Sequence, residues 1–163
     1  MRAAELTAYH EAGHVVVAWH FGLLGSRDAT ILKGKDGSLG HAHVNFGGRI
    51  PRRVLREGRV KNERQRQIIE RQVILSLAGF QAERMFNNCA RRSKSCGSDD
   101  PEVIELLELI VWDEEEMGHY VDFLETRTRN ILRRYWPEVR AVARALLVQK
   151  RLSRAEILKV VLH

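Results

Sequence analysis

Two histidines and a glutamate stand together near the start of the chain, in the run His10-Glu11-Ala12-Gly13-His14. On a helix, residues four apart lie on one face about one turn from each other, so both imidazoles can reach the same ion. A glutamate next to the first histidine can take a proton from water at that ion, as in the His-Glu-X-X-His pattern of zinc peptidases. The spacing therefore predicts that His10 and His14 bind Zn²⁺ and that Glu11 is a general base.

The helix that carries this motif is expected in the protein interior. Residues 15–19 read Val-Val-Val-Ala-Trp, which is apolar nearly all round, and a helix of that composition is buried. Polar side chains in such a helix need partners, because an unpaired polar group inside a protein is costly. A short motif also arises by chance, and the two histidines would then be ordinary core residues. The complete motif within a buried helix favours the metal site.

A catalytic zinc site needs a third protein ligand and one open position. The candidates later in the chain are Glu83, Asp99, Asp100, His41 and His43. Glu83 falls within a predicted helix, as a glutamate ligand does in many zinc proteases. Asp99 and Asp100 fall where a loop meets a helix start, a position where aspartates also serve as N-caps. Spacing alone leaves the choice open.

The composition favours a single globular domain over residues 1–163. Hydrophobic residues make up 44% of the chain and charged residues 29%, which is ordinary for a globular protein of this size. No apolar run is long enough to cross a bilayer, and the first residues lack a signal-peptide pattern. We therefore expect a cytoplasmic location and no membrane segment.

The chain carries a net charge of +6, with basic residues crowded in residues 49–71 and again around Arg127 and Arg134. Acidic residues alternate with many of them, as at Glu70 and Glu125. No nucleic-acid-binding motif accompanies this charge. We expect a solvated basic face, and nucleic acid is not an expected partner.

Hydrophobic periodicity predicts a mainly α chain with one small β-hairpin. The hairpin strands are predicted at Ala29–Lys33 and Leu39–Phe46, around turn-forming residues 34–38. Gly118 is expected to end one helix, and Ser153 with Glu156 forms a capping box for the last one. The predicted helices cover residues 3–22, 62–87, 101–117, 119–136, 137–150 and a short segment after residue 153.

Four stretches of the chain carry a family resemblance. They are residues 8–14 (Ala-Tyr-His-Glu-Ala-Gly-His), 38–41 (Ser-Leu-Gly-His), 77–86 (Leu-Ala-Gly-Phe-Gln-Ala-Glu-Arg-Met-Phe) and 97–100 (Gly-Ser-Asp-Asp). Together, and in this order, they resemble the peptidase domain of the FtsH family of ATP-dependent AAA+ zinc proteases. The resemblance extends over most of the chain and implies a helical zinc metallopeptidase fold with a small hairpin.

The resemblance also selects among the candidate ligands. In the family the third zinc ligand is an aspartate that opens a helix, followed four residues later by a small apolar residue. Asp100, followed by Ile104, matches this pattern, and Asp99 is the alternative. Pro101 departs from the large apolar residue usual in the family, and the preceding loop differs in length. Glu83 is then left with a supporting or structural role.

The resemblance further implies a substrate site beside the zinc. The strand Leu39–Phe46 is similar to the family strand at that place, so Leu39, Gly40, His41 and Ala42 are expected to bind an extended peptide through backbone hydrogen bonds. The family's transmembrane segment and ATPase module do not precede the motif in this sequence. A separate AAA+ unfoldase and a homo-oligomer are therefore partners to consider beside the polypeptide substrate.

The sequence thus predicts a zinc-dependent endopeptidase that hydrolyses unfolded or extended proteins, with Glu11 activating a zinc-bound water. Two alternatives stay open. One is a regulatory peptidase that cuts one specific partner, and the other is a non-catalytic binding module that retains the fold. An intact Glu11 argues against the second, because a binding module has no chemical need for a general base.

Overall fold

The computed structural model describes residues 3–24, 28–33, 39–42, 60, 62–87 and 101–162. Within these ranges the chain is mainly helical with one β-hairpin, as the sequence predicts. The helices are α1 (Ala3–His20), α2 (Glu63–Phe86), α3 (Pro101–Leu107), α4 (Glu114–Arg134), α5 (Trp136–Gln149) and α6 (Arg154–Val161). The strands are β1 (Ala29–Lys33), β2 (Leu39–Ala42) and β3 (Arg151–Leu152). None of these helices is long and apolar enough to span a membrane.

Helix α1 lies at the centre of the core. It packs against α2 on one side and α5 on another, and β1 and β2 also lie beside it. Its buried residues include Ala8, Ala12 and the apolar residues 15–18, which face several neighbours at once. This burial confirms the prediction from the apolar composition of the helix. The motif histidines are therefore held on an element that the core fixes on most sides.

Gly13 allows α1 to approach α2 closely. A Cβ atom added to Gly13 would lie 2.6 Å from the carbonyl oxygen of Ala78 and 2.7 Å from the Cβ of Ala82. Neither atom belongs to a flexible side chain that could move away. The glycine, together with the two small residues opposite, therefore sets the separation of the two helices.

The end of α1 follows its glycine signal. Gly22 has a φ of +69°, in the left-handed region that favours glycine. The N–H of Leu23 donates to the carbonyl of Ala18 at 2.7 Å, and the N–H of Gly22 donates to Trp19 at 2.9 Å. This pair of bonds satisfies the last carbonyl groups of the helix. The regular helix ends at His20, two residues before the predicted boundary.

The sheet has the strand order β2-β1-β3, with both pairings antiparallel. The predicted hairpin is confirmed, with Ala29 opposite Ala42. The predicted strand Leu39–Phe46 is observed over Leu39–Ala42, and residues 43–46 lie outside the described ranges. Strand β3 was not predicted, because it is two residues long. Lys150 precedes it with a φ of +66° and turns the chain from α5 into the sheet.

One predicted boundary is wrong. The helix expected over residues 101–117 ends at Leu107, and Gly118 lies inside α4 instead of ending a helix. The side chain of Asp113 caps α4 by accepting a hydrogen bond from the N–H of Glu116 at 2.9 Å. A glycine inside a helix costs about 1 kcal/mol relative to alanine. A good N-cap contributes a similar amount, so the cap rather than the glycine decides where this helix begins.

The remaining boundaries agree with the sequence to within a few residues. Pro137 lies in the first turn of α5, where its missing N–H costs no hydrogen bond. The capping box of α6 is confirmed, since Ser153 N–H donates to Glu156 Oε2 at 2.7 Å and Glu156 N–H donates to Ser153 Oγ at 3.4 Å. The predicted helix 119–136 is part of α4.

The two glycines give a matched test of helix packing. We expect Gly13→Ala to lower the free energy of unfolding by about 1–3 kcal/mol, because its new methyl group overlaps the backbone of α2. Gly118→Ala is the control, since nothing lies within 4 Å of a Cβ there, and it should stabilise the protein by up to about 1 kcal/mol. Urea denaturation of both variants measures the difference. A Gly13→Ala variant as stable as Gly118→Ala would contradict the close helix contact.

Candidate metal centre

The two motif histidines meet at the contact between α1 and α2. His10 and His14 lie one helical turn apart, and their Nε2 atoms are 3.1 Å from each other. The ring planes are inclined at 69°, so the two nitrogens converge on a common region. This arrangement confirms that the i, i+4 spacing brings both imidazoles to one place.

A backbone carbonyl fixes the protonation of His14. Its Nδ1 lies 2.7 Å from the carbonyl oxygen of Leu75 on α2. A carbonyl oxygen only accepts hydrogen bonds, so Nδ1 carries the proton and donates it. Burial of the ring and the neighbouring His10 lower the pKa of His14 to about 3, against the hydrogen bond to Leu75. At neutral pH His14 is therefore neutral and its Nε2 presents a lone pair.

A carboxylate orients His10 in the same way. The Nδ1 atom of His10 lies 2.5 Å from Oε1 of Glu83, also on α2. Burial lowers the pKa of His10, but the hydrogen bond to Glu83 and the charges of Glu11 and Glu83 outweigh it and raise the pKa. With Nδ1–H donated to the carboxylate, the Nε2 atom is the one left to bind an ion or share a proton with His14.

The convergent nitrogens fit a zinc ion. Zinc accepts neutral imidazole nitrogens at about 2.0–2.1 Å, and two such ligands of one tetrahedral ion lie about 3.3 Å apart. The observed Nε2–Nε2 separation of 3.1 Å is close to that spacing. Two lone pairs facing each other repel unless a cation or a proton lies between them. The donor set and its orientation therefore suit Zn²⁺.

Gly79 keeps the space beside these nitrogens open. A Cβ atom added there would lie 2.5 Å from Nε2 of His14 and 2.6 Å from Nε2 of His10. Any other residue at this position would occupy the region on which the two lone pairs converge. In the sequence, Gly79 stands out only as part of the stretch 77–86 that carries the family resemblance. The physical signal is a glycine inside a helix. Glycine there costs about 1 kcal/mol relative to alanine, so it indicates a packing or functional role.

Glu11 is buried next to the histidines. Its side chain is 3% exposed, and its negative charge is one of the causes that raise the pKa of His10. Tyr9, the residue before the motif, points into the core and stacks on Phe86 with ring centroids 3.8 Å apart. Glu11 is thus the motif carboxylate placed near the histidines, whereas Tyr9 packs against Phe86 in the core.

The third ligand is not found among the described residues. Within these ranges no group of three histidine, cysteine, aspartate or glutamate side chains could hold a metal together. Glu83 contacts the Nδ1 side of His10, which gives it a supporting role. Asp99, Asp100 and His43 lie outside the described residues. His41 lies in β2, but its side chain is not among those described.

The predicted substrate strand lies beside the motif helix. Strand β2, which contains Leu39, Gly40, His41 and Ala42, packs next to α1 and pairs with β1 on one side. In the part of the chain that the structure describes, its other edge has no strand partner.

No protein-family model matches this sequence, and a search of curated proteins finds no match.

Gly79→Ala tests the metal centre without disturbing the helix contact. The new methyl group would displace the ends of His10 and His14 rather than backbone. We expect zinc affinity to fall about tenfold or more, because ligands must be held within about 0.5 Å of their working positions. The free energy of unfolding without metal should change less than in Gly13→Ala, because the methyl group meets the far ends of two side chains instead of backbone. Isothermal titration with Zn²⁺ and urea denaturation give the two numbers, with Gly118→Ala as control.

Glu83→Ala tests the orienting carboxylate. We expect zinc affinity to fall by about 10–100-fold, the usual cost of removing the hydrogen-bond partner of a histidine ligand. Glu83→Gln should recover part of the loss, since its amide oxygen still accepts the Nδ1–H of His10. Glu115→Ala, an exposed carboxylate in the first turn of α4, is the control. Equal affinity in Glu83→Ala and Glu115→Ala would show that Glu83 does not orient His10.

Proposed function

We propose that this protein is a zinc-dependent endopeptidase. The observation that carries the proposal is the convergence of the two Nε2 atoms on each other, with each ring oriented by a hydrogen bond at Nδ1. Two imidazoles that are oriented through Nδ1 and hold their Nε2 atoms close together are what a metal site requires and what two packing histidines do not need. The resemblance of the sequence to the peptidase domain of the FtsH family supports the same class of reaction.

His10, His14 and Asp100 are the proposed ligands, with Asp99 as the alternative to Asp100. Zinc, when bound, lowers the pKa of a coordinated water and polarises the peptide carbonyl. Glu11 takes the proton of the attacking water and passes it to the leaving amine. The hydrogen bonds at both Nδ1 atoms hold the imidazoles in the tautomer that presents Nε2. A glycine at position 79 avoids a side chain that would overlap both Nε2 atoms.

The proposed substrate is an unfolded or extended polypeptide. Strand β2 offers an edge beside α1, and an extended peptide can add to such an edge through backbone hydrogen bonds. These bonds require a free strand in the substrate and make little demand on its sequence. We therefore propose that loosely folded proteins such as casein are cleaved and that compact proteins are spared unless a separate unfoldase, such as an AAA+ ATPase, opens them.

Glu11→Gln separates metal binding from catalysis. The substitution keeps the shape of the side chain and removes the base, so zinc should stay bound at about one per chain while casein cleavage falls about 100-fold or more. Mass spectrometry of native protein measures the metal, and release of peptides measures activity. Loss of zinc in Glu11→Gln would assign the glutamate a structural role. Full zinc occupancy with no cleavage by the wild type would favour the binding module.

The same two assays, of bound zinc and of peptide release, identify the residues that bind the metal. His10→Ala, His14→Ala and Asp100→Asn should each lose zinc and activity together, since three protein ligands are the minimum for a catalytic site. Asp99→Asn is the matched control one residue away and should keep both. The reverse result, with zinc lost in Asp99→Asn alone, would move the third ligand to Asp99.

A further inference from the structure

A cavity lies at the C-terminal end of α1, apart from the histidine pair. Its volume is about 360 Å³, and its lining comes from His20 and from α4 and the residue that follows it. His20 is six residues beyond His14, which is about 9 Å along a helix. None of the proposed metal or catalytic residues lines this cavity. The cavity is therefore separate from the proposed metal site, and binding of a ligand in it does not depend on the proposed peptidase activity.

Positive charge is concentrated on one wall of the cavity. Arg127, Asn130 and Arg134 follow one another at helical spacing on α4, so their donor groups line the same face. No acidic residue is among the described residues that line it. Arg127 has one distant carboxylate neighbour, Glu70 at 3.9 Å, and its side chain is 50% exposed. Within the described part of the chain Arg134 forms no ion pair, and its guanidinium lies over the Tyr135 ring.

Aromatic rings form the rest of the lining. Phe123 lines the cavity and is 53% exposed. On the other side the rings of His20 and Tyr135 lie 5.1 Å apart, and the guanidinium of Arg134 lies 5.6 Å from the Tyr135 ring. The cavity thus combines flat apolar surface with fixed cationic donors.

The electrostatics of His20 agree with a cationic cavity. Burial lowers the pKa of His20, and the charges of Arg134 and Arg127 lower it further. The imidazole is therefore neutral at pH 7, and the positive charge of the cavity comes from the arginines. A neighbouring cavity of about 250 Å³ contrasts with it, because Glu63 and Glu70 line that space together with Arg71 and Arg127. The described lining of the cavity beside His20 contains no acidic side chain.

We propose that the cavity lined by Arg127, Asn130, Arg134, Phe123, His20 and Tyr135 binds a small organic anion, in which a phosphate or carboxylate group is attached to a flat apolar ring. Arginine donates two parallel hydrogen bonds to either anionic group, and Asn130 adds an amide donor. The ring packs against Phe123 and the pair formed by His20 and Tyr135. The volume is at the lower end of ligand cavities, which suits a molecule with one ring.

Binding is tested on the full chain with four probes. Phenyl phosphate and phenylacetate carry both features, inorganic phosphate lacks the ring, and benzyl alcohol lacks the charge. Nuclear magnetic resonance titration should show saturable shifts at Phe123, Asn130 and the His20 ring, while the His14 ring stays unchanged. Either ringed anion should bind about tenfold or more tightly than inorganic phosphate or benzyl alcohol. The stronger of the two identifies phosphate or carboxylate as the preferred group.

Variants assign the contacts. Arg134→Gln and Arg127→Gln should each weaken binding of the ringed anion about tenfold, as each removes one charge-assisted pair. Phe123→Ala should weaken the ringed anions and leave inorganic phosphate unaffected. Arg140→Gln, which removes an exposed charge from α5, is the matched control and should bind as the wild type does. Thermal unfolding of each variant checks that it is folded.

Either of two results would overturn the proposal. Absence of saturable shifts with either ringed anion at about 10 mM, well above a dissociation constant of about 1 mM, would exclude the site. Equal weakening by Arg140→Gln and Arg134→Gln would reduce the effect to general attraction by the basic protein. The titration of the wild type decides the matter even if a variant does not fold, because it locates the shifts directly.

Discussion

The contact between α1 and α2 is the constraint on which the rest of the structure depends. Gly13 on one helix meets Ala78 and Ala82 on the other, at a separation that excludes even a methyl group. That closeness brings the carbonyl of Leu75 and the carboxylate of Glu83 within hydrogen-bond distance of the histidines. If the helices stood further apart, neither Nδ1 atom would reach its acceptor. The packing of small residues therefore sets the chemistry of the imidazoles.

The same contact explains how a buried helix can carry several polar side chains. Leaving an imidazole or a carboxylate unpaired inside a protein costs more than a typical hydrogen bond contributes. His10 and Glu83 satisfy each other across the two helices, and His14 is satisfied by backbone. The two Nε2 atoms lie 3.1 Å apart beside Gly79, close enough to share a proton. A metal ion in the place of that proton would bind both nitrogens. Such an ion would account for the buried polar groups and for the glycine beside them.

The positive charge of the chain is not distributed evenly over its surface. Many basic residues alternate with acidic ones, as the sequence shows, and such residues form a solvated face. Arg127 and Arg134 differ because the cavity they share with His20 has no acidic side chain in its described lining. Two neighbouring cavities that share Arg127 thus have opposite character, one cationic and aromatic, the other lined by both charges. The distinction arises from α4 lying against the end of α1.

The sequence by itself determined the elements whose signals are local. The His-Glu-X-X-His spacing, the apolar run after it, the hairpin and the Ser153 capping box depend on neighbours a few residues away, and each is observed where it was predicted. The boundary at Gly118 failed because a cap at Asp113 competes with a glycine that an exposed helix tolerates. Sequence rules for helix boundaries do not say which signal prevails when an N-cap residue and a glycine lie a few residues apart.

Only the tertiary structure decided which distant residues complete the site. The sequence named Glu83 as one of several candidate ligands, and the fold turned it towards Nδ1 of His10, where it orients the ring. It also brought the Leu75 carbonyl to His14. It placed Gly79 against both imidazoles, a contact that the hydrophobic periodicity of the sequence does not predict. These pairings join residues more than sixty positions apart. They depend on the axial register of two packed helices, which is set by the shapes of their contact surfaces and not by any local preference.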